Sequence, residues 1–222
     1  MSIATNETYL SDVCAALRIP WPDNHTVNIV CHGHSVPAGY FASTVVDTFN
    51  AYPHLLHVGL RERFPMSVTN VIVTAIGGEN SSGGAARFAE DVLSHKPAVV
   101  TIDYGVNDRT IGLEEAGKQW RSMVSEAQAA GVKVILLTPA VHLAKENECT
   151  EEALELLGKH AEQITRLARD LGVGLADTFG AFERYAEGDG ELGDLMSWAN
   201  HPNRKGHEII ARELLRWFSV VA

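Results

Sequence analysis

The pattern that most constrains this chain is a recurring one. Five short apolar runs, Val27 to Cys31, Val71 to Ile76, Ala98 to Gly105, Lys133 to Pro139 and Val173 to Phe179, alternate with segments of a different period. The runs are rich in Val and Ile and lack polar alternation, which predicts strands buried on both faces, as in a parallel sheet. Between them, Leu113, Ala116, Trp120, Met123 and Ala127 recur at spacings of three and four. So do Ala153, Leu157, His160, Ile164, Leu167 and Leu171, and then Ile210, Leu214 and Trp217. Each set falls on one helical stripe. Thr150, followed by two Glu, predicts an N-cap with an acidic first turn.

Strands alternating with helices imply a three-layer α/β/α sandwich around a central parallel sheet of about five strands, flavodoxin-like in topology. Functional groups in such sheets gather beyond the carboxyl ends of the strands. A chain of 222 residues suffices for one substantial core. With no linker or repeat to divide it, residues 1–222 read as a single domain, 1–26 being an N-terminal extension. The stretch from Glu187 to Ser197, rich in Gly and acidic residues, predicts an exposed loop before the last helix.

Charge and cysteine content exclude some partners. A formal net charge of −10 leaves no excess of cations to neutralise phosphates, so nucleic acid is not expected. Met1 to Leu10 lacks the basic-then-apolar pattern of a secretory leader, and no apolar run approaches the roughly 20 residues of a membrane span. Cys14, Cys31 and Cys149 are odd in number and widely spaced, against a disulfide framework. The expected compartment is the cytoplasm.

Chemistry-bearing residues follow the runs. After the first comes Cys31-His32-Gly33-His34-Ser35-Val36-Pro37-Ala38-Gly39-Tyr40. A serine at a strand-to-helix turn lies where developing negative charge is stabilised, though Ser35 alone reads equally as an N-cap. After the second run, Gly77-Gly78-Glu79-Asn80 lets backbone N–H groups approach a ligand oxygen closely; neither a P-loop nor a dinucleotide fingerprint fits its spacing. The third run ends Asp103-Tyr104-Gly105-Val106-Asn107-Asp108, where a carboxamide can donate to an oxyanion or simply serve a turn. Before the last helix stands Asn200-His201-Pro202-Asn203-Arg204-Lys205-Gly206-His207. His201 is free to reach a site, whereas His207 falls on the helix stripe and reads as a packing or capping residue.

Taken in order, four segments resemble the blocks of the SGNH (GDSL-like) hydrolases: Gly33-His34-Ser35, Gly78, Gly105-Val106-Asn107-Asp108, and His201-Pro202-Asn203 with Gly206-His207. The resemblance spans about residues 27–218 and implies the SGNH hydrolase fold and a serine esterase acting on a small-molecule ester. It implies Ser35 as nucleophile, His201 as base and then acid, and an oxyanion hole from the N–H of Ser35, the N–H of Gly78 and Nδ2 of Asn107. No cofactor or metal is implied. Two positions depart from the family. His34 stands where Asp is usual, and Trp198 occupies the place, three residues before the histidine, of the usual acid. The expected substitute for that acid is a backbone carbonyl at His201 Nδ1, with Asp194 the nearest alternative carboxylate. A base near its ordinary value implies a rate rising through a pKa of roughly 6 to 7. The acyl group expected is short, an acetyl ester of a carbohydrate being one candidate, and His34 and His142 are candidate pocket residues.

Two other classes fit some of the same residues. His32, His34, His201 and His207 could supply nitrogen ligands to a metal. A ligand-binding domain without activity would keep the pocket and resist covalent serine reagents. His160, on an apolar helix stripe, reads as a satisfied core residue, and Cys31 as a buried strand end.

Overall fold

The computed structural model describes residues 4–143, 150–188 and 190–219; Cys149 lies outside them. The first half of the chain runs α1 (Ser11–Leu17), β1 (Thr26–Gly33), α2 (Ser35–Ala38), β2 (Tyr40–Ala42), β3 (Val45–Val46), α3 (Tyr52–Arg63), β4 (Val68–Val73), α4 (Ser81–Ala86), α5 (Phe88–Asp91) and β5 (Val99–Asp103). The second half runs α6 (Gly112–Ala129), β6 (Lys133–Leu137), α7 (Glu151–Leu171), β7 (Gly174–Ala176), α8 (Thr178–Glu187), β8 (Met196–Trp198), β9 (His201–Pro202) and α9 (Arg204–Leu215). The central sheet has five strands in the order β4-β1-β5-β6-β7, all pairings being parallel. The expected three-layer, flavodoxin-like fold is therefore present.

Strand geometry sorts the core. Side chains alternate between faces along a strand, so Val27, Ile29 and Cys31 of β1, with Ile135 and Leu137 of β6, pack under α1, α3, α8 and α9. Val30, with Val134 and Leu136, faces the other way against Phe88, α6 and α7, where Trp120 and Met123 are fully buried. The N-terminal extension contributes α1, and its Val13, Cys14 and Leu17 join the first of these layers. Thr150 caps α7 as its sequence suggests, accepting from Ala153 N–H at 3.2 Å.

Several boundaries differ from the sequence reading. The second strand is Val68–Val73 rather than Val71 to Ile76. It is the sheet edge, where Val68 and Val73 are exposed, so hydrophobicity marks its ends poorly. The last strand stops at Ala176 because Asp177 accepts Gly180 N–H and starts α8, taking Phe179 into that helix. Nor is Glu187 to Ser197 all exposed loop: a 3-10 turn at Leu192–Leu195 leads into β8, with Leu195 and Met196 buried.

Candidate active site

β1 and β5 deliver the first groups together. Their register pairs Gly33 with Asp103, and a Cβ on Gly33 would collide with the Asp103 carbonyl oxygen; only glycine permits this approach. The chain then turns into α2, with Ser35 at its first helical position. His34 caps that turn by its side chain, Nδ1 accepting Val36 N–H at 3.3 Å.

From the opposite end of the chain, the β8–β9 ribbon carries His201 to the same place. His201 Nε2 lies 2.9 Å from Ser35 Oγ. The Tyr40 ring faces the imidazole with centroids 6.4 Å apart. Burial holds the His201 pKa down to about 4, with His34 and His142 adding to the effect, so the imidazole is neutral and able to accept a proton at neutral pH. Its Nδ1 has no hydrogen-bond partner among the described residues. No backbone carbonyl among the described residues therefore takes the expected place. Asp194 does not replace it: its carboxylate accepts Tyr185 O–H at 3.1 Å and Glu191 N–H at 3.2 Å, capping the 3-10 turn. Trp198 is exposed.

The oxyanion candidates lie beyond the ends of β4 and β5. Gly78 adopts φ +79° with open space where a Cβ would stand, and is exposed. Asn107 Nδ2 donates to the carbonyl of Glu79 at 2.8 Å, which uses one of its two N–H bonds and leaves one for a ligand. Beneath them, fully buried Asp108 accepts Ser81 N–H at 2.8 Å and Trp120 Nε1–H at 2.6 Å, tying the loop after β4 to α6. Burial raises the Asp108 pKa, and the Trp120 and Ser81 bonds offset part of the rise.

A second polar network was not visible in the sequence. Arg87 Nε donates to Glu79 Oε1 at 2.9 Å, Tyr104 O–H donates to Glu79 Oε2 at 2.8 Å, and the same hydroxyl lies 3.0 Å from His32 Nε2. His32 Nε2 also faces the Gly84 carbonyl at 3.1 Å and Nδ1 faces Thr74 Oγ1 at 2.9 Å. A neutral His32, its pKa pushed down to about 4 by burial and then by Arg87, satisfies all three with its proton on Nε2. His207 likewise has its own structural partner, Nδ1 accepting Tyr52 N–H at 3.1 Å. The four histidines therefore do not converge, and among the described residues no three His, Cys, Asp or Glu side chains are placed to hold a metal ion. His142 Nδ1 lies 3.0 Å from Arg109 Nη2. His160 is buried, but neither ring nitrogen has a hydrogen-bond partner among the described residues, so it is not the satisfied core residue its stripe suggested.

A serine beyond the carboxyl edge of a parallel sheet, bonded to a histidine from the short strand before the last helix, defines a serine hydrolase of the three-layer α/β class. The chain belongs to the GDSL-like lipase/acylhydrolase family, whose model matches residues 31–209, and is a carboxylic ester hydrolase. It is 28% identical over 191 residues to an acetylxylan esterase of Geobacillus stearothermophilus, covering 80% of each chain. With esterase TesA of Pseudomonas aeruginosa it shares 41% identity over 99 residues, 43% of this chain and 48% of that one. Among solved structures, that of Axe2, an acetylxylan esterase from Geobacillus stearothermophilus, superposes with a TM-score of 0.75 at 23% identity, covering 88% of this chain and 95% of that one. LAE5, an alpha/beta hydrolase enzyme from the metagenome of Lake Arreo, superposes with a TM-score of 0.73 at 25% identity, covering 86% and 94%.

Proposed function

We propose that Ser35 is the nucleophile and His201 its general base in the hydrolysis of a short-chain acyl ester, an acetylated carbohydrate being the favoured substrate class. The observation that carries the assignment of roles is the 2.9 Å contact between His201 Nε2 and Ser35 Oγ. Oγ attacks the ester carbonyl carbon as its proton passes to Nε2. The tetrahedral intermediate then expels the alcohol, which takes that proton, leaving an acyl-enzyme that water hydrolyses by the same steps in reverse. The oxyanion is held by the N–H of Ser35 at the start of α2, the N–H of Gly78 and the free N–H of Asn107 Nδ2. The acetyl and carbohydrate assignment is supported by the acetylxylan esterase relative. Neither nucleic acid nor membrane enters the proposal, and the cytoplasmic setting is supported by Cys14 and Cys31, both free and buried.

The test is a p-nitrophenyl ester series from acetyl to long chains, run beside acetylated sugars, with wild type and Ser35→Ala. Acetyl esters are expected to give the highest kcat/KM, and Ser35→Ala to lose a factor of roughly 10⁵ or more, as removal of a nucleophile does. A preference for long chains would overturn the substrate assignment. Retention of most of the rate by Ser35→Ala would overturn the nucleophile.

A further inference from the structure

Two imidazoles face the Ser35 hydroxyl, those of His201 and His34. His34 Nδ1 lies 3.3 Å from Ser35 Oγ. Because the same nitrogen accepts Val36 N–H, it carries a lone pair and the ring proton sits on Nε2. Nε2 in turn stands 3.3 Å from Asp103 Oδ1 without a hydrogen bond formed between them. Both side chains are almost wholly buried. His201 Nδ1 likewise has no hydrogen-bond partner among the described residues, and no carboxylate stands beside it as Asp103 stands beside His34. A carboxylate that orients an imidazole and offsets its developing charge is what a serine hydrolase ordinarily uses. This chain lacks that acid at Trp198 and has a carboxylate–imidazole pair on the other side of the serine.

We propose that His34, with the Asp103 carboxylate beside its far nitrogen, is a second general base for Ser35 beside His201. The inference rests on Ser35 being the nucleophile. When His34 serves, the Oγ–H bond breaks as the Oγ–carbon bond forms, and the proton goes to His34 Nδ1. The ester C–O bond then breaks and the leaving alkoxide takes the proton back. Protonation places an imidazolium opposite the buried Asp103 carboxylate, a paired charge, but deprives Val36 N–H of its acceptor. His34 therefore serves less readily than His201, and its contribution stands out when His201 is removed.

The experiment measures the rate at which a fluorophosphonate probe labels Ser35, with fluoride leaving phosphorus, so no natural substrate is needed. Asn at position 34 keeps an oxygen to cap α2 while removing the base. His201→Ala is expected to label slowly but about 100-fold faster than His201→Ala/His34→Asn, the scale of one general base. Ser35→Ala serves as the control that takes up no label. Asp103→Asn should slow the His201→Ala protein by a larger factor than it slows wild type; an equal factor would reduce Asp103 to a support of the fold. Thermal melts check each variant, and if His34→Asn fails to fold, the Asp103→Asn comparison decides by itself. A double variant as fast as His201→Ala overturns the proposal. A wild type that resists the probe overturns the nucleophile assignment instead.

Discussion

At Ser35 the outcome depends on the protonation of its neighbours. A general base must be neutral to accept a proton, and the pKa of His201 is lowered to about 4 by burial, then by His34 and His142. As pH rises through about 4 the fraction of neutral His201 grows, so kcat/KM should climb there and be level by neutrality. The value of roughly 6 to 7 expected from an ordinary histidine is displaced because a charged imidazole loses its water in this position. A kcat/KM profile between pH 3.5 and 8 checks this, and an inflection near 6.5 would show that solvent reaches the ring. Asn107 belongs to the same scale. Its Nδ2 is anchored by the Glu79 carbonyl, so it is already aimed before substrate arrives. Asn107→Ala should lower kcat by about 10² to 10³ with little change in KM, the cost of one oxyanion donor; a defect confined to KM would mean that it binds the ground state.

The elements are held in place by groups that never touch substrate. The loop after β4 carries Gly78 and Glu79, and Asp108 pins it by accepting Ser81 N–H at the start of α4 and Trp120 Nε1–H from α6. Asp108→Ala leaves both donors buried without an acceptor. The expected loss is about 3 kcal/mol, read from the urea midpoint at unchanged slope, together with a fall in kcat as the loop relaxes. A loss below about 1 kcal/mol would mean that other acceptors replace the carboxylate. On the opposite side, β9 delivers His201 and its neighbour Asn203 caps α9, Oδ1 accepting Gly206 N–H at 3.2 Å. The base is thus mounted immediately before a rigid helix.

Among the described residues, four buried histidines have pKa values pushed down by burial. The pKa values of His32, His160 and His201 are lowered to about 4 and that of His207 to about 3, burial being the leading cause for each. An unfolded chain would protonate them near 6.5, before the folded chain does. Stability is therefore fully present above about pH 6.5 and drains away as pH falls from there towards 4. Asp108, whose pKa is shifted upward, offsets part of the loss. Calorimetry should find Tm at pH 5 at least about 5 °C below that at pH 7.5, a shift of one to two kcal/mol for a chain of this size. A flat Tm across that range would mean that these rings open to solvent in the folded state.

The layer architecture, the strand ends that bear Ser35 and Asn107, and the place of His201 just before the last helix are legible in the sequence, because hydrophobic period and turn chemistry are local properties. The short ribbons β2–β3 and β8–β9 are not, since strands of two or three residues have no measurable period. The edge strand β4 was misplaced for a related reason: exposed ends carry no apolar signal. Only the tertiary structure decides which side chains meet. Asp103 reaches His34 because β1 and β5 align Gly33 with Asp103 across 70 positions of chain, and nothing in either segment alone specifies that register. The same holds for the Arg87, Glu79, Tyr104 and His32 network. The absence of an acid at position 198 could be read directly, but what stands at His201 Nδ1 and how far burial lowers its pKa are properties of packing. They follow from neighbours brought from four different strands, and a linear pattern does not contain them.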